Sequence, residues 1–195
     1  MKEKDTVLPA IEKRRAYRAL DTRPIEPEVL LGLIEAAATA PSAMNNQPWR
    51  FITVTESERL NALKETLSRG NYWAKRAPAI IAVVTNNRWS MQLGERSYAP
   101  FEVGMATMAL QIQAVSEGLS IHPIAGFNAD EAKAVLKIEE DDSLLVLLVL
   151  GYPGSEEGLS DAHRESEHSE RTRLPLDRIH AFDGWNQGMK REGSA

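Results

Sequence analysis

Five arginines stand out by their spacing. Arg14, Arg15 and Arg18 fall close together near one end of the chain, and Arg171 and Arg173 occupy alternate positions near the other. Like charges this close repel, so each cluster costs stability unless an anion sits nearby. A guanidinium fork matches the oxygens of a phosphate, although a solvated basic face is the commoner meaning of such a cluster. Between the clusters runs Ala40-Pro41-Ser42-Ala43-Met44-Asn45-Asn46-Gln47-Pro48-Trp49-Arg50-Phe51. Its two prolines stiffen the backbone. Its hydroxyl and three carboxamides both donate and accept hydrogen bonds without carrying charge. That chemistry suits a flat heteroaromatic ligand rimmed by carbonyls and ring nitrogens; taken alone, a polar turn with Trp49 plugging the core is the simpler reading. A fourth stretch, His122-Pro123-Ile124-Ala125-Gly126-Phe127, sets glycine beside alanine, so that a ligand can approach the main-chain N–H groups.

These groups need elements to hold them. Residues 7 to 20 read as a helix, with Val7, Leu8 and Ile11 at helical spacing and Arg14 and Arg18 one turn apart on one face. Glu28 to Thr39 is a second helix, with Leu30, Leu33, Ile34 and Ala37 on one side, and Pro27 suits its first turn. Phe51, Ile52 and Val54 form a strand. Ser57 to Leu67 is a short amphipathic helix for which Ser57 is a plausible cap. It is broken at Arg69-Gly70-Asn71-Tyr72-Trp73, whose two aromatics could wall a flat pocket but more often serve local core. Ala79 to Val84 is a strand buried on both faces. Residues 86 to 99 lack a period and could be a loop or a helical excursion over a site, and so a candidate for substrate selectivity. Phe101 to Glu117 is the strongest helix. Its low charge predicts burial nearly all round and, in so short a chain, contact with another subunit. Gly118 is a left-handed cap, and Asn128 with Glu131 makes a capping box. Leu144 to Leu150 is the third strand expected. Ser155 to Glu170 is polar and acidic and runs over the surface, and its His163, Glu165, Glu167 and His168 match no common metal-site spacing. Ile179, Phe182 and Trp185 are apolar residues that a free tail would not need, so the tail is expected to dock.

Composition narrows the partners. A chain of 195 residues with 43% hydrophobic residues fits one domain, here taken as residues 1–195. Net charge is -5, which disfavours nucleic acid and acidic membranes. There is no cysteine, which removes disulfides, thiol nucleophiles and thiolate metal sites. Met1 to Thr6 is charged and lacks the apolar core of a signal peptide, and no apolar run reaches membrane-spanning length. These features predict a soluble, cytoplasmic protein. No Gly-x-Gly-x-x-Gly or Walker-type loop is present, which disfavours a Rossmann site or an NTPase.

Flavin mononucleotide asks for all four patches: arginines for its phosphate, amides and main chain for its ring edge, and a backbone donor near N5. In order, Arg14-Arg15-Ala16-Tyr17-Arg18, Pro41 to Trp49, Pro123 to Phe127 and Arg171 to Pro175 resemble the signatures of the FMN-dependent nitroreductase family over nearly the whole chain. The resemblance implies an α+β fold: a three-layer α/β/α sandwich with an antiparallel-rich mixed sheet, built as an intertwined homodimer with FMN at the subunit interface. It implies that Arg14, Arg15, Arg18, Arg171 and Arg173 hold the phosphate and ribityl end. Ser42, Asn45 and neighbours such as Pro41, Ala43 and Gln47 would reach the partner's flavin. The main chain of Ala125 and Gly126, preceded by Pro123 and Ile124, would face N5, and Asn71 would contact the ring. Ala16 and Ala43 replace residues that often carry hydroxyls in the family, removing two hydrogen bonds to flavin. The implied reaction is ping-pong: NAD(P)H passes hydride to N5 and leaves, and a nitroaromatic, quinone or activated alkene then takes two electrons in the same pocket. The cofactor carries the chemistry, so no catalytic side chain and no metal are expected. Other readings stay open: a dehalogenase or oxidase of the same family, a flavin-binding redox sensor with little turnover, and a phosphate-ligand module without flavin.

Overall fold

The computed structural model describes residues 7–190, so the charged Met1–Thr6 segment lies outside it. The fold is organised on a run of apolar, mostly β-branched residues. Strand β1 is Arg50–Val54 and β2 is Ala79–Thr85. A two-residue pair, β3 at Gln92–Leu93 and β4 at Arg96–Ser97, forms a small hairpin apart from the main sheet. Strands β5 at Ser120–Ile124 and β6 at Ser143–Gly151 complete the set. The main sheet has the order β1-β2-β6-β5, and each of its three pairings is antiparallel. β2 is buried along its whole length because β1 and β6 flank it and both of its faces are covered.

Side chains alternate across the sheet, and each face makes its own core. Ile80, Ala82, Val84, Leu147 and Val149 pack with Leu60 and Leu63 of helix α3 (Ser57–Glu65) and with Ala132 and Leu136 of helix α5 (Ala129–Leu136). On the other face, Ala79, Ile81, Val83, Leu148 and Leu150 meet Leu30, Leu33 and Ala37 of helix α2 (Pro27–Ala38). Val103, Ala106, Leu110 and Ala114 of helix α4 (Ala99–Ser116) complete that core. The result is the expected three layers, helix on sheet on helix. Among the described residues, no helix is long and apolar enough to cross a membrane.

Several local expectations change. The first helix, α1, spans only Pro9–Lys13 and buries none of its residues. Arg14 to Ala19 is extended, so Arg14 and Arg18 do not share a helical face. Tertiary bonds explain this. The carboxylate of Glu167 accepts from the N–H groups of Arg18 at 3.0 Å and Ala19 at 3.2 Å, Gly154 N–H donates to the Ala19 carbonyl at 3.0 Å, and Leu20 bridges to Pro153. A short, highly charged helix offers too little burial to compete. The cap of α3 is Glu56, not Ser57: its carboxylate accepts from the N–H groups of Glu58 and Arg59, each at 2.8 Å.

Strand β5 is additional to the three strands expected and runs into the His122–Phe127 stretch singled out for its bare backbone. Pro123 lacks an N–H, which is tolerated because β5 is an edge strand. Helix α4 is not buried all round: Phe101, Gly104 and Met108 lie on an exposed side, flanked by half-buried Met105, Ile112 and Val115. Gly118 does end α4 with a left-handed φ of 75°, and the Asn128 side chain accepts from Glu131 N–H at 3.3 Å, but the Asn128 N–H donates to the Thr66 carbonyl at 2.8 Å rather than to the Glu131 carboxylate, so only half of the expected capping box forms. The segment Ser155–Glu170 contains a helix, α6 (Asp161–His168). Ile179, Phe182 and Trp185 are exposed and do not dock on their own chain.

Candidate functional site

Two segments far apart in the sequence meet in one place. The non-helical Arg14–Tyr17 segment, α6 and the irregular Ser169–Arg173 segment border a cavity of about 260 Å³ lined by Arg14, Arg15, Ala16, Ser166, Arg171 and Arg173 among others. Five of the residues expected from sequence to serve a cofactor therefore converge, although they are separated by more than 150 positions. Arg15 donates to the Ser169 carbonyl at 2.5 Å, and Arg171 donates to the carbonyls of Glu12 at 2.5 Å and Arg14 at 2.6 Å. These bonds stitch the two segments together. Burial first, then the like charges of Arg171, Arg173 and Arg15, hold the Arg14 guanidinium below its usual range. The cavity thus has a standing electrostatic cost that a bound anion would relieve.

Arg18 turns away from that cavity. Its side chain lies 3.8 Å from the Glu167 carboxylate and 6.0 Å from the centre of the Trp73 ring. Trp73 in turn packs on His122, with ring centres 4.6 Å apart. Burial above all, with the nearby charge of Arg18 adding to it, pushes the His122 imidazole down to about 4, although its bond to the Tyr17 carbonyl works the other way. His122 is therefore neutral near pH 7 and adds no further positive charge beside the arginines.

The next group is the turn that follows β5. The Gly126 carbonyl accepts from Ser68 N–H at 2.9 Å and from the Asn71 carboxamide at 2.8 Å. A Cβ at Gly126 would sit 2.7 Å from the Asn71 nitrogen and 3.3 Å from the Ser68 hydroxyl, so only glycine fits there without displacing Asn71. Asn71 and Gly126, expected separately from sequence, thus form one unit. Ala125 beside them is exposed, which leaves the main chain open to a ligand. Pro123 and Ile124 lead into this turn from β5.

The amide loop lies elsewhere in the chain. It enters β1 at one edge of the sheet, whereas the Ala125–Gly126 turn leaves β5 at the opposite edge. Three strand spacings put about 14 Å between them. Pro41, Asn45 and Gln47 are exposed, with Ser42 and Ala43 half-buried. Met44, Asn45 and Gln47 all adopt left-handed φ, at 52°, 58° and 49°. Such backbone is unfavourable outside glycine and persists only where neighbours enforce it. Here the Ser42 hydroxyl accepts from Gln47 N–H at 2.9 Å and the Thr85 hydroxyl donates to the Pro48 carbonyl at 2.6 Å, while Trp49 anchors in the α2–α4 core as expected.

Sequence reasoning gave no role to His122, which packs on Trp73, and it missed two buried carboxylates. In the sequence Glu167 stands out only within the His163–His168 group, whose spacing matches no common metal site. The residues of that pattern go separate ways: Glu167 to Arg18, His163 to the Tyr72 hydroxyl at 3.0 Å, and His168 to Glu156 at 2.7 Å. Glu102 sits in the first turn of an otherwise apolar helix, and a lone acid there was the available signal.

The model of the nitroreductase family matches residues 11–152. A protein of Archaeoglobus fulgidus, provisionally assigned as an NADH dehydrogenase/NAD(P)H nitroreductase, is 29% identical over 89% of this chain and 95% of its own. An NADH dehydrogenase of Thermus thermophilus is 26% identical over 86% of this chain and 91% of its own. A solved oxidoreductase containing FMN superposes with a TM-score of 0.84 and 28% identity, covering 95% of this chain and 96% of the other. With its three-layer architecture, its paired arginine segments and a family match over most of its length, the chain belongs to the nitroreductase family.

Proposed function

We propose that this chain is an FMN-dependent oxidoreductase that moves two electrons from NAD(P)H to a nitroaromatic, a quinone or a related small oxidant. The observation that carries the reading is the arginine-lined cavity assembled from two segments far apart in the sequence. Its size and charge suit a phosphate monoester with part of a polyol chain, and the mutual repulsion around Arg14 favours an anion there. The Asn71–Gly126 unit fits a ring edge that needs main-chain groups at close range.

FMN, when bound, supplies the redox chemistry by accepting hydride from the nicotinamide and giving two electrons to the oxidant. The protein supplies charge, position and exclusion of water. Arg14, Arg15, Arg171 and Arg173 would neutralise the phosphate, and Ala16 lines the same cavity without adding a hydrogen bond. Arg18 is held by the Glu167 carboxylate and keeps a positive charge near the Trp73 and His122 rings. Negative charge developing on a nearby ligand would be stabilised by that guanidinium. Neutral His122 and Trp73 form an apolar wall that keeps this field from being screened.

The working unit in this reading is a homodimer, in which residues 1–195 of each copy make one FMN-binding domain. The amide loop enters at the sheet edge opposite the Ala125–Gly126 turn of its own protomer, and it presents Asn45 and Gln47 to solvent. Phe101, Phe182 and Trp185 are 65%, 85% and 69% exposed, a large apolar surface for one chain to leave in water. A second copy would cover that surface and receive the loop at its own flavin.

Anaerobic titration tests the function. The purified protein should be yellow, bleach with NADH or NADPH, and recover its colour on adding a quinone. Colourless protein that takes up no FMN would remove the flavin reading. Protein that binds FMN but is reduced by neither nicotinamide would leave a flavin-binding sensor instead.

A further inference from the structure

Two side chains outside the arginine cavity tie the amide loop to the 86–99 excursion. Glu102 is only 2% exposed. It accepts from Ala43 N–H at 2.7 Å and from the Ser90 hydroxyl at 2.5 Å. Arg50 donates to the carbonyls of Gln47 at 3.1 Å and Trp49 at 2.6 Å, and its guanidinium lies 4.8 Å from the centre of the Trp89 ring. The carboxylate thus grips the loop by an N–H and the guanidinium grips it by its carbonyls. Both reach the same short segment, Trp89–Ser90.

This arrangement has a cost that calls for a purpose. Glu102 pairs with no cation among the described residues, and burying a carboxylate on neutral donors is expensive. Between its two grips the loop carries Met44, Asn45 and Gln47 in left-handed backbone. A loop with that much strain relaxes unless something opposes it.

We propose that Glu102 and Arg50 are positioning residues that clamp the amide loop to the 86–99 excursion, so that the excursion helps set which oxidant is accepted by fixing the loop's shape. The choice of oxidant rests on the flavin reading above, whereas the clamp itself does not. Substrate selection then works through two bonded contacts: Ser90 through Glu102 to Ala43, and Trp89 through Arg50 to Gln47 and Trp49.

The test uses the full-length protein in two arms, hydrogen exchange of residues 42–47 read by mass spectrometry and kcat/KM for a compact quinone against a bulkier nitroaromatic. E102A loses both charge-assisted hydrogen bonds, and the loss of the one to Ala43 should speed exchange in the loop by about tenfold and change the ratio of the two kcat/KM values by a similar factor. E102Q should restore both, because its carbonyl accepts from Ala43 and its amide donates to Ser90. S90A should shift both in the same direction by about threefold, and it keeps the test alive if E102A fails to fold. Unchanged loop exchange in both E102A and S90A overturns the proposal. So does faster exchange with an unchanged acceptor ratio, and so does an E102Q variant no better than E102A. A wild-type protein that takes up no FMN defeats the flavin reading, and the exchange arm still decides the clamp.

Discussion

Replacing Glu167 with alanine tests how the site is assembled. Its side chain is 5% exposed, and both oxygens serve the backbone: Arg18 N–H at 3.0 and 3.1 Å, and Ala19 N–H at 3.2 Å. The Arg18 guanidinium is 3.8 Å away. Truncation leaves two partly buried N–H donors without acceptors, each worth about 1.5 kcal/mol when the lost bond was to a charged group, or about 3 kcal/mol together. For a chain of this length that is a fall in Tm of about 6–12 °C. Glu65→Ala is the control. Its pair with Lys75 is as short, at 2.9 Å, but the two side chains are 73% and 52% exposed, so the loss should stay below about 1 kcal/mol. The assay is thermal unfolding of FMN-stripped protein, because bound cofactor adds its own stabilisation. FMN affinity of E167A is measured separately and should also fall, since α6 supplies part of the arginine cavity through Ser166. Glu167→Gln keeps one acceptor and turns an N–H₂ toward a donor, so it should lie between the two. A Tm for E167A within about 2 °C of wild type would refute the claim that this carboxylate holds the Arg14–Ala19 segment in place.

Four further outcomes are expected. His122 is held well below the ordinary value of 6.5, so the unfolded chain takes up its proton more readily than the folded one. Its stabilising contribution should persist above about pH 6.5 and be lost as pH falls toward 4. NMR titration of the imidazole should give a midpoint near that lower value, and a midpoint above 6 would contradict the buried geometry. Gly126→Ala should swing Asn71 aside and break its 2.8 Å bond to the Gly126 carbonyl, costing about 1–3 kcal/mol in denaturant unfolding together with weaker FMN binding. Gly154→Ala should be far worse, because its Cβ would fall on the Leu20–Asp21 backbone, and soluble expression reports it. Phe182→Glu with Trp185→Glu should convert a dimer to monomers in sedimentation velocity, and unchanged mass would show that the tail is not at the interface.

Much of the fold was legible because its signals are local. The apolar run Ala79 to Val84 needed no partner to announce a buried strand, and Gly118 and the Asn128–Glu131 pair marked helix ends through backbone geometry that few residues satisfy. The arginine clusters and the amide loop were also visible, since residue type and spacing alone state what they could bind. The Arg14–Ala19 segment shows where that legibility ended. Its helical spacing was real, but a carboxylate nearly 150 residues away captures its N–H groups, and no local pattern reports a long-range bond. The bare-backbone turn hid a strand because Pro123 reads as a breaker unless the strand is known to lie at an edge. Tertiary structure alone decided that Asn71 closes on Gly126, that the two arginine segments wall one cavity, and that Glu102 joins the loop to the excursion. Sequence determines what each group can do, because that follows from the side chain itself. Which groups act together is settled by burial and pairing across the whole chain.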